Sequence, residues 1–320
     1  MIRRGLTALF WLWLALSLAA GPRPALAAVE VLAADYPVWL FTRSLMAGVR
    51  GGQVTLLTAA PGCAHDHVLA PAELETLSRA DILVSGGLAL DAFLERALGV
   101  AKPGLKIIDA AGGGFKVRSG QNQALVLDLA TARQWYRAAG ERPDPHLFAS
   151  LSGAMTMTDN LAEALARLDP QSAEAYRDNA LQINAQYQRL LYEFQAVAAR
   201  WSPRPRVVLS HGVLRYMAAD LRLSVADIIE GAEEEPVSAA RLAELVDRAR
   251  QCQAVLADPH GRLDLARTVG AEARRPVAVI DPVASGPPDP PPDYFEKVFL
   301  TNLAVLDELF TRPPGAPPRK

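Results

Sequence analysis

Five histidines carry most of what this sequence offers for chemistry: His65, His67, His146, His211 and His260. None falls inside a stretch of helical periodicity. His65 and His67 come shortly after the apolar run at 54–58, His211 directly after 207–210, and His260 just after 254–258. His146 opens a segment as Asp144-Pro145-His146, and Asp281 directly follows the run 277–280. Short apolar runs bounded by turn residues read as strands, and open α/β sheets place ligand sites outside the carboxyl ends of their strands. Three or four neutral imidazoles and one carboxylate suit a tetrahedral Zn²⁺ site. The same donors serve Mn²⁺ or Fe²⁺, although Mn²⁺ prefers more oxygen. Scattered loop histidines solvated at the surface are the plainer alternative, and periodicity alone leaves both readings open. Cys63, two residues before His65, reads as a bystander.

Other chemistry has little to stand on. The chain has no GxSxG elbow, Walker A loop, CxxC pair or HExxH helix. Gly112-Gly113-Gly114 lacks the strand–GxGxxG–helix setting of a dinucleotide site and reads as a flexible loop. Glu230 and the run 233–235 read as a solvated loop. A zinc-dependent hydrolase is the rival of another class. It would need three protein ligands, an activated water and a carboxylate base, and no base motif is evident.

The elements that must position these residues follow a β-α rhythm. Strands are expected at 29–33, 54–58, 82–85 and 106–108, with helices around 39–48, 72–79 and 90–101. The rhythm resumes with strands at 207–210, 224–228, 254–257 and 277–280. It predicts an α/β fold of two lobes, each a mostly parallel sheet flanked by helices. Between them, 171–200 contains no Gly or Pro, and apolar residues at 173, 176, 180, 183, 187, 190, 194, 197 and 201 alternate steps of three and four. That is one stripe on a single long, rigid backbone helix joining the lobes. Asp293-Tyr294-Phe295-Glu296 reads as the capping box of a last helix running to Thr311, preceded by a Pro-rich loop at 286–292 and followed by a tail at 313–320.

Composition fits this organisation. Half of the 320 residues are hydrophobic and 21% charged, enough for a substantial core. The net charge is −2, and it becomes more acidic once Arg3, Arg4 and Arg23 are set aside, so nothing marks a nucleic-acid partner. Those arginines belong to a targeting segment: Arg3-Arg4, a 15-residue apolar run from Leu6, then Ala25-Leu26-Ala27 before a cleavage point. The expected division is a cleaved signal peptide at 1–27, an N-terminal lobe at 28–169, the linking helix at 170–201 and a C-terminal lobe at 202–320. Cys63 and Cys252 fall at opposite sheet edges, about 17 Å apart, too far for a disulfide.

These residues resemble a known family, the zinc- and manganese-specific solute-binding proteins that feed bacterial ABC importers. The resemblance spans nearly the whole mature chain. It rests on Pro61-Gly62-Cys63-Ala64-His65-Asp66-His67-Val68-Leu69-Ala70-Pro71, on Asp144-Pro145-His146-Leu147-Phe148, on Ser210-His211-Gly212-Val213, and on Asp281-Pro282 before Gly286 and Tyr294. It implies that His65, His146, His211 and Asp281 are the metal ligands. His67 would stand beside them, with His260 in reserve and Asp66 and Asp144 holding the imidazole tautomers. A histidine at the third position implies Zn²⁺ as the transported ion over Mn²⁺ or Fe²⁺. It implies a non-enzymatic, monomeric periplasmic carrier whose partners are an ABC permease and its ATPase at the inner membrane.

Overall fold

The computed structural model describes residues 30–49, 51–58, 67–88, 90–112, 114–117, 144–201, 203–229 and 237–311. The leader at 1–27, His65 with Cys63 and Asp66, Gly113, the acidic run with Glu230, and the tail at 313–320 lie outside the described residues.

In the first half, β1 (Val31–Ala33), β2 (Val54–Leu56), β3 (Ile82–Ser85) and β4 (Lys106–Asp109) pair in parallel. Crossovers through α1 (Tyr36–Leu45), α2 (Pro71–Arg79) and the short α3 (Ala92–Ala97) connect them. The sheet order is β2-β1-β3-β4-β5. The last strand corrects the expectation of a loop through the glycine triplet, because Gly114 opens β5 (Gly114–Val117), which returns antiparallel along β4. The reversal is tight, with the Gly112 N–H donating to Asp109 Oδ1 at 2.7 Å.

The second half repeats the plan. β6 (Arg206–Leu209), β7 (Ser224–Ile228), β8 (Ala254–Ala257) and β9 (Val277–Val279) form an all-parallel sheet ordered β7-β6-β8-β9. Its crossovers run through α6 (Arg215–Asp220), α7 (Ala239–Arg250) and α8 (Leu263–Ala273). In each sheet the first strand lies between its second and third, so the chain changes direction at β1/β3 and again at β6/β8. Those switch points are where doubly wound sheets bind ligands.

Alternation along the strands divides the interior into three cores. Val31 and Ala33 of β1, with Ala254 and Leu256 of β8, face one central core. Leu32 faces an outer core with Leu77 and Leu83, and Val255 and Ala257 face another with Leu245 and Val269. The central core therefore contains residues of both sheets.

Helices fill it. α5 (Ala173–Ala198) is the predicted long helix, 26 residues, or about 39 Å. Tyr176, Ala180, Tyr187, Leu190 and Phe194 of the predicted stripe are buried. It packs against α4 (Leu151–Leu168), an 18-residue helix that the strand-and-helix rhythm did not single out, and against α9 (Tyr294–Thr311). Aromatic rings tie these elements across the lobes. Phe295 of α9 meets Phe41 of α1 at 5.3 Å and Tyr187 of α5 at 5.0 Å between centroids, and Phe299 stacks on Phe295 at 4.5 Å. The connection between the lobes is thus a shared core, with α5 running along it and burying one stripe of its surface there. Cys252 is a buried free thiol.

Candidate metal centre

Asp144 and His146 sit in a turn just ahead of α4. The His146 N–H donates to Asp144 Oδ1 at 3.0 Å, and ring Nδ1 contacts the same oxygen at 2.8 Å. An ionised carboxylate only accepts, so it selects the tautomer with the proton on Nδ1 and a lone pair on Nε2. One helical turn (Leu147–Ala149) then leads into α4, whose cap Ser150 accepts from the Gly153 N–H at 3.0 Å. Glycine is required at 153 by space, since a Cβ there would lie 2.0 Å from the Leu147 carbonyl oxygen. The close approach of turn and helix fixes where His146 stands, and the imidazole is buried at 4% exposure.

His211 arrives from the other lobe. β6 ends at Leu209, Ser210 follows, and His211 turns into the segment that carries α6. Its Nδ1 lies 3.9 Å from Asp258 Oδ2, an ion-pair distance rather than a hydrogen bond. Asp258 follows β8, so this pair occupies the β6/β8 switch point. The Ser210 hydroxyl donates to Asp258 Oδ2 at 3.2 Å and accepts from the Asp258 N–H at 3.1 Å, which fixes the buried carboxylate.

The two halves meet at these histidines. The rings of His146 and His211 are 5.0 Å apart between centroids and inclined at 71°. The segment after His211 also reaches the Asp144 turn: Tyr216 Oη donates to the Asp144 carbonyl at 2.8 Å, and Arg215 Nε stands 3.6 Å from Asp144 Oδ2. Burial would raise the Asp144 carboxyl, but the hydrogen bonds and charge of His146 and the charge of Arg215 outweigh it. The net effect holds the group below its ordinary range.

Asp281 lies beyond β9. Its N–H donates to Asn302 Oδ1 at 3.1 Å and its carbonyl accepts from Asn302 Nδ2 at 2.7 Å, so one buried amide of α9 clamps the backbone on both sides. The Val283 N–H donates to Asp281 Oδ1 at 2.7 Å. Burial pushes the carboxyl up, and the nearby Asp258 adds to that; the Val283 N–H and His260 act against it, and the net direction is upward. His260 occupies a turn like that of His146, its N–H donating to Asp258 Oδ1 at 3.0 Å, while its Nε2 lies 2.9 Å from Ser285 Oγ.

Among the predicted site residues, His146 and His211 are brought into contact, and Asp281 shares an electrostatic neighbourhood with Asp258 and His260. His67 is engaged elsewhere. Its Nε2 is 3.0 Å from Glu73 Oε2, which also accepts from the Ala70 N–H at 2.7 Å at the start of α2, and its ring meets Phe93 edge-on at 5.4 Å. Among the described residues no group of three or more His, Cys, Asp or Glu is gathered closely enough to hold a metal ion; His65 lies outside them. Sequence reasoning missed Asp258, Asn302, Arg215 and Tyr216. One signal was present for Asp258, since Asp-Pro-His occurs twice, at 144–146 and 258–260.

Known proteins share this architecture. The solute-binding protein FpvC of Pseudomonas aeruginosa, solved with Mn²⁺, superposes with a TM-score of 0.71 over 89% of this chain and 99% of its own, at 20% identity. A Treponema pallidum relative is 26% identical over 201 residues, and the chain spans 62% of that relative's length. The high-affinity zinc uptake system protein ZnuA of Paracoccus denitrificans is 26% identical over 314 residues, 85% of this chain and 90% of its own. The family model of the zinc-uptake complex component A periplasmic proteins matches residues 31–308, from β1 into α9. The chain belongs to that family, the ZnuA family.

Proposed function

We propose that this chain is the periplasmic carrier of a divalent metal ion, Zn²⁺, held between the lobes by His65, His146, His211 and Asp281 and delivered to an ABC permease and its ATPase. The observation that carries the reading is the meeting of His146 and His211 from opposite lobes at 5.0 Å, the first backed by Asp144 and the second by Asp258. Metal-ligating histidines characteristically hand their other ring nitrogen to such a carboxylate. Nitrogen-rich donors favour Zn²⁺, whereas Mn²⁺ prefers oxygen, and the Paracoccus relative is a zinc uptake protein. A full protein donor set suits carriage, because a zinc hydrolase keeps one position open for water. Among the described residues no helix is long and apolar enough to cross a membrane. The carrier is read as a monomer that meets the permease from outside the bilayer.

Elemental mass spectrometry of the mature chain, followed by competition against a zinc chelator, tests this. The expected result is about one zinc per chain, lost or weakened by at least about a hundredfold in His146→Ala and His211→Ala. Manganese or iron at that stoichiometry would overturn the zinc assignment. Wild-type affinity in His146→Ala would overturn the site.

A further inference from the structure

The segment that joins Asp281 to α9 has an unusual hydrogen-bonding problem. From 287 to 292 it reads Pro-Pro-Asp-Pro-Pro-Pro, so Asp289 alone owns a backbone N–H there. Such a strap cannot secure itself with backbone ladders; it can be held only through its carbonyls and the Asp289 side chain. Beside the Tyr294 N–H, which donates to the Pro291 carbonyl at 3.0 Å, the donors come from α1 in the opposite lobe. Tyr36 Oη donates to the Pro287 carbonyl at 2.9 Å, Arg43 Nη1 to the Pro290 carbonyl at 3.0 Å, and Arg43 Nη2 to Asp289 Oδ1 at 3.0 Å.

An isolated surface ion pair contributes little, but this guanidinium is pre-organised. It lies over the Trp39 ring at 5.3 Å and divides its donors between a carbonyl and a carboxylate. Tyr36 in turn packs against Trp39 and meets Tyr294 edge-on. The strap crosses these phenols at Gly286, where a Cβ would fall 2.5 Å from Tyr36 Oη and 2.8 Å from Tyr294 Oη. Only glycine passes that close.

Between the crossing and Asp281 the backbone is strained. Val283 has φ +64°, the left-handed region that a β-branched side chain strongly disfavours. Its N–H is the one bound to Asp281 Oδ1. Such a conformation persists only where its surroundings over-determine it. Here those surroundings are the Asn302 clamp on one side and the Tyr36–Arg43 contacts on the other. The shared central core limits how far the lobes can separate, whereas residues 286–289 are exposed and lie on its rim.

We propose that Tyr36 and Arg43 are positioning residues that latch the Asp281 segment to the first lobe, so that letting go of the strap is the step that frees a bound cation. The proposal rests on the carrier reading above and assigns that site its release control.

The test is stopped-flow release of zinc from the loaded mature chain into excess chromophoric chelator, for wild type, Tyr36→Phe, Arg43→Gln, Arg43→Lys and Asp289→Asn. Tyr36→Phe keeps the ring and its packing while removing the donor, and Asp289 is so exposed, at 92% of its side chain, that its amide variant leaves folding intact. Release should be about three- to tenfold faster in Tyr36→Phe and Arg43→Gln and about twofold faster in Asp289→Asn. Arg43→Lys should recover part of the loss. Association rates and stoichiometry should stay at wild-type values, and the melting temperature of the metal-free chain should fall too little to account for the faster release. Unchanged release from stoichiometrically loaded Tyr36→Phe and Arg43→Gln would sink the latch and leave the carrier reading standing. Faster release that merely tracks a lower metal-free melting temperature would also sink it. A wild-type chain that takes up no zinc would overturn both.

Discussion

Asp144 is the side chain through which both lobes act on one imidazole. It accepts from the ring N–H of His146, faces Arg215 at 3.6 Å, and its own carbonyl accepts from Tyr216. Asp144→Asn would keep an acceptor for Nδ1 but remove the charge that makes the imidazole a stronger donor. We expect zinc affinity about tenfold or more weaker with His146 still in place, measured by chelator competition on a variant of unchanged circular dichroism. Asp258→Asn should weaken affinity less, because His211 is 3.9 Å from that carboxylate. Much of this site was legible. His211 stood out because a scarce residue type followed a strand-like run, and His146 because it opened a segment as Asp144-Pro145-His146. Asp258 and Asn302 did not, because a buried carboxylate or amide becomes a partner only when the fold brings in a residue dozens of positions away. His67, read as a neighbour of the ligands in the first ligand loop, has its Nε2 against Glu73, six residues on.

At the scale of elements, the strands were readable almost to the residue because parallel strands covered on both faces are continuous apolar runs. β5 escaped because its four residues begin inside a glycine triplet and pair antiparallel at an edge. α4 escaped because half of its ten buried positions are Ala or Gly, which give a weak periodic signal. Gly153 tests that helix. In Gly153→Ala the new Cβ meets backbone at 2.0 Å, so the turn bearing His146 must move. We expect a loss of about 2–4 kcal/mol in denaturant melts, with zinc affinity falling alongside. Edge strand β7 offers a pH test away from the site. Asp227 accepts from Arg241 at 2.9 and 3.1 Å and pairs with Arg248 at 3.1 Å. Burial alone would raise its carboxyl, but the arginines and the Ile228 N–H hold it below the ordinary range. A carboxylate lowered on folding contributes stability that is complete above its unfolded value of about 3.9 and is lost as pH falls through the lower folded value. Asp227→Asn should therefore cost about 1 kcal/mol at neutral pH and nothing in strong acid. Melts at pH 7 and pH 2.5 check it, and a gap that persists in acid would assign the effect to packing.

For the whole molecule, the sequence pointed to two α/β lobes and one long helix between them in the chain, and the structure has two mostly parallel sheets and a 26-residue helix between them in sequence. What periodicity could not show is which apolar faces meet. The inner faces of both sheets, α1, α4, α5 and α9 close over one central core, so neither lobe keeps a complete interior of its own. Two bodies on a rod would unfold separately, whereas two sheets sharing a core should unfold as one cooperative unit. Phe194 of α5 is the probe, fully buried and 6.1 Å from Phe299 of α9 between ring centroids. Phe194→Ala should cost about 3–5 kcal/mol. That loss should appear equally in hydrogen-exchange protection of the β3 amides and the β8 amides, although these strands lie in different sheets. Bound metal should raise both by the same increment, since a ligand held only by the native state stabilises whatever unfolds with it. If only β8 lost protection in Phe194→Ala, the lobes would be independent. Their relative motion, rather than the strap beyond Asp281, would then be the freer path to metal release.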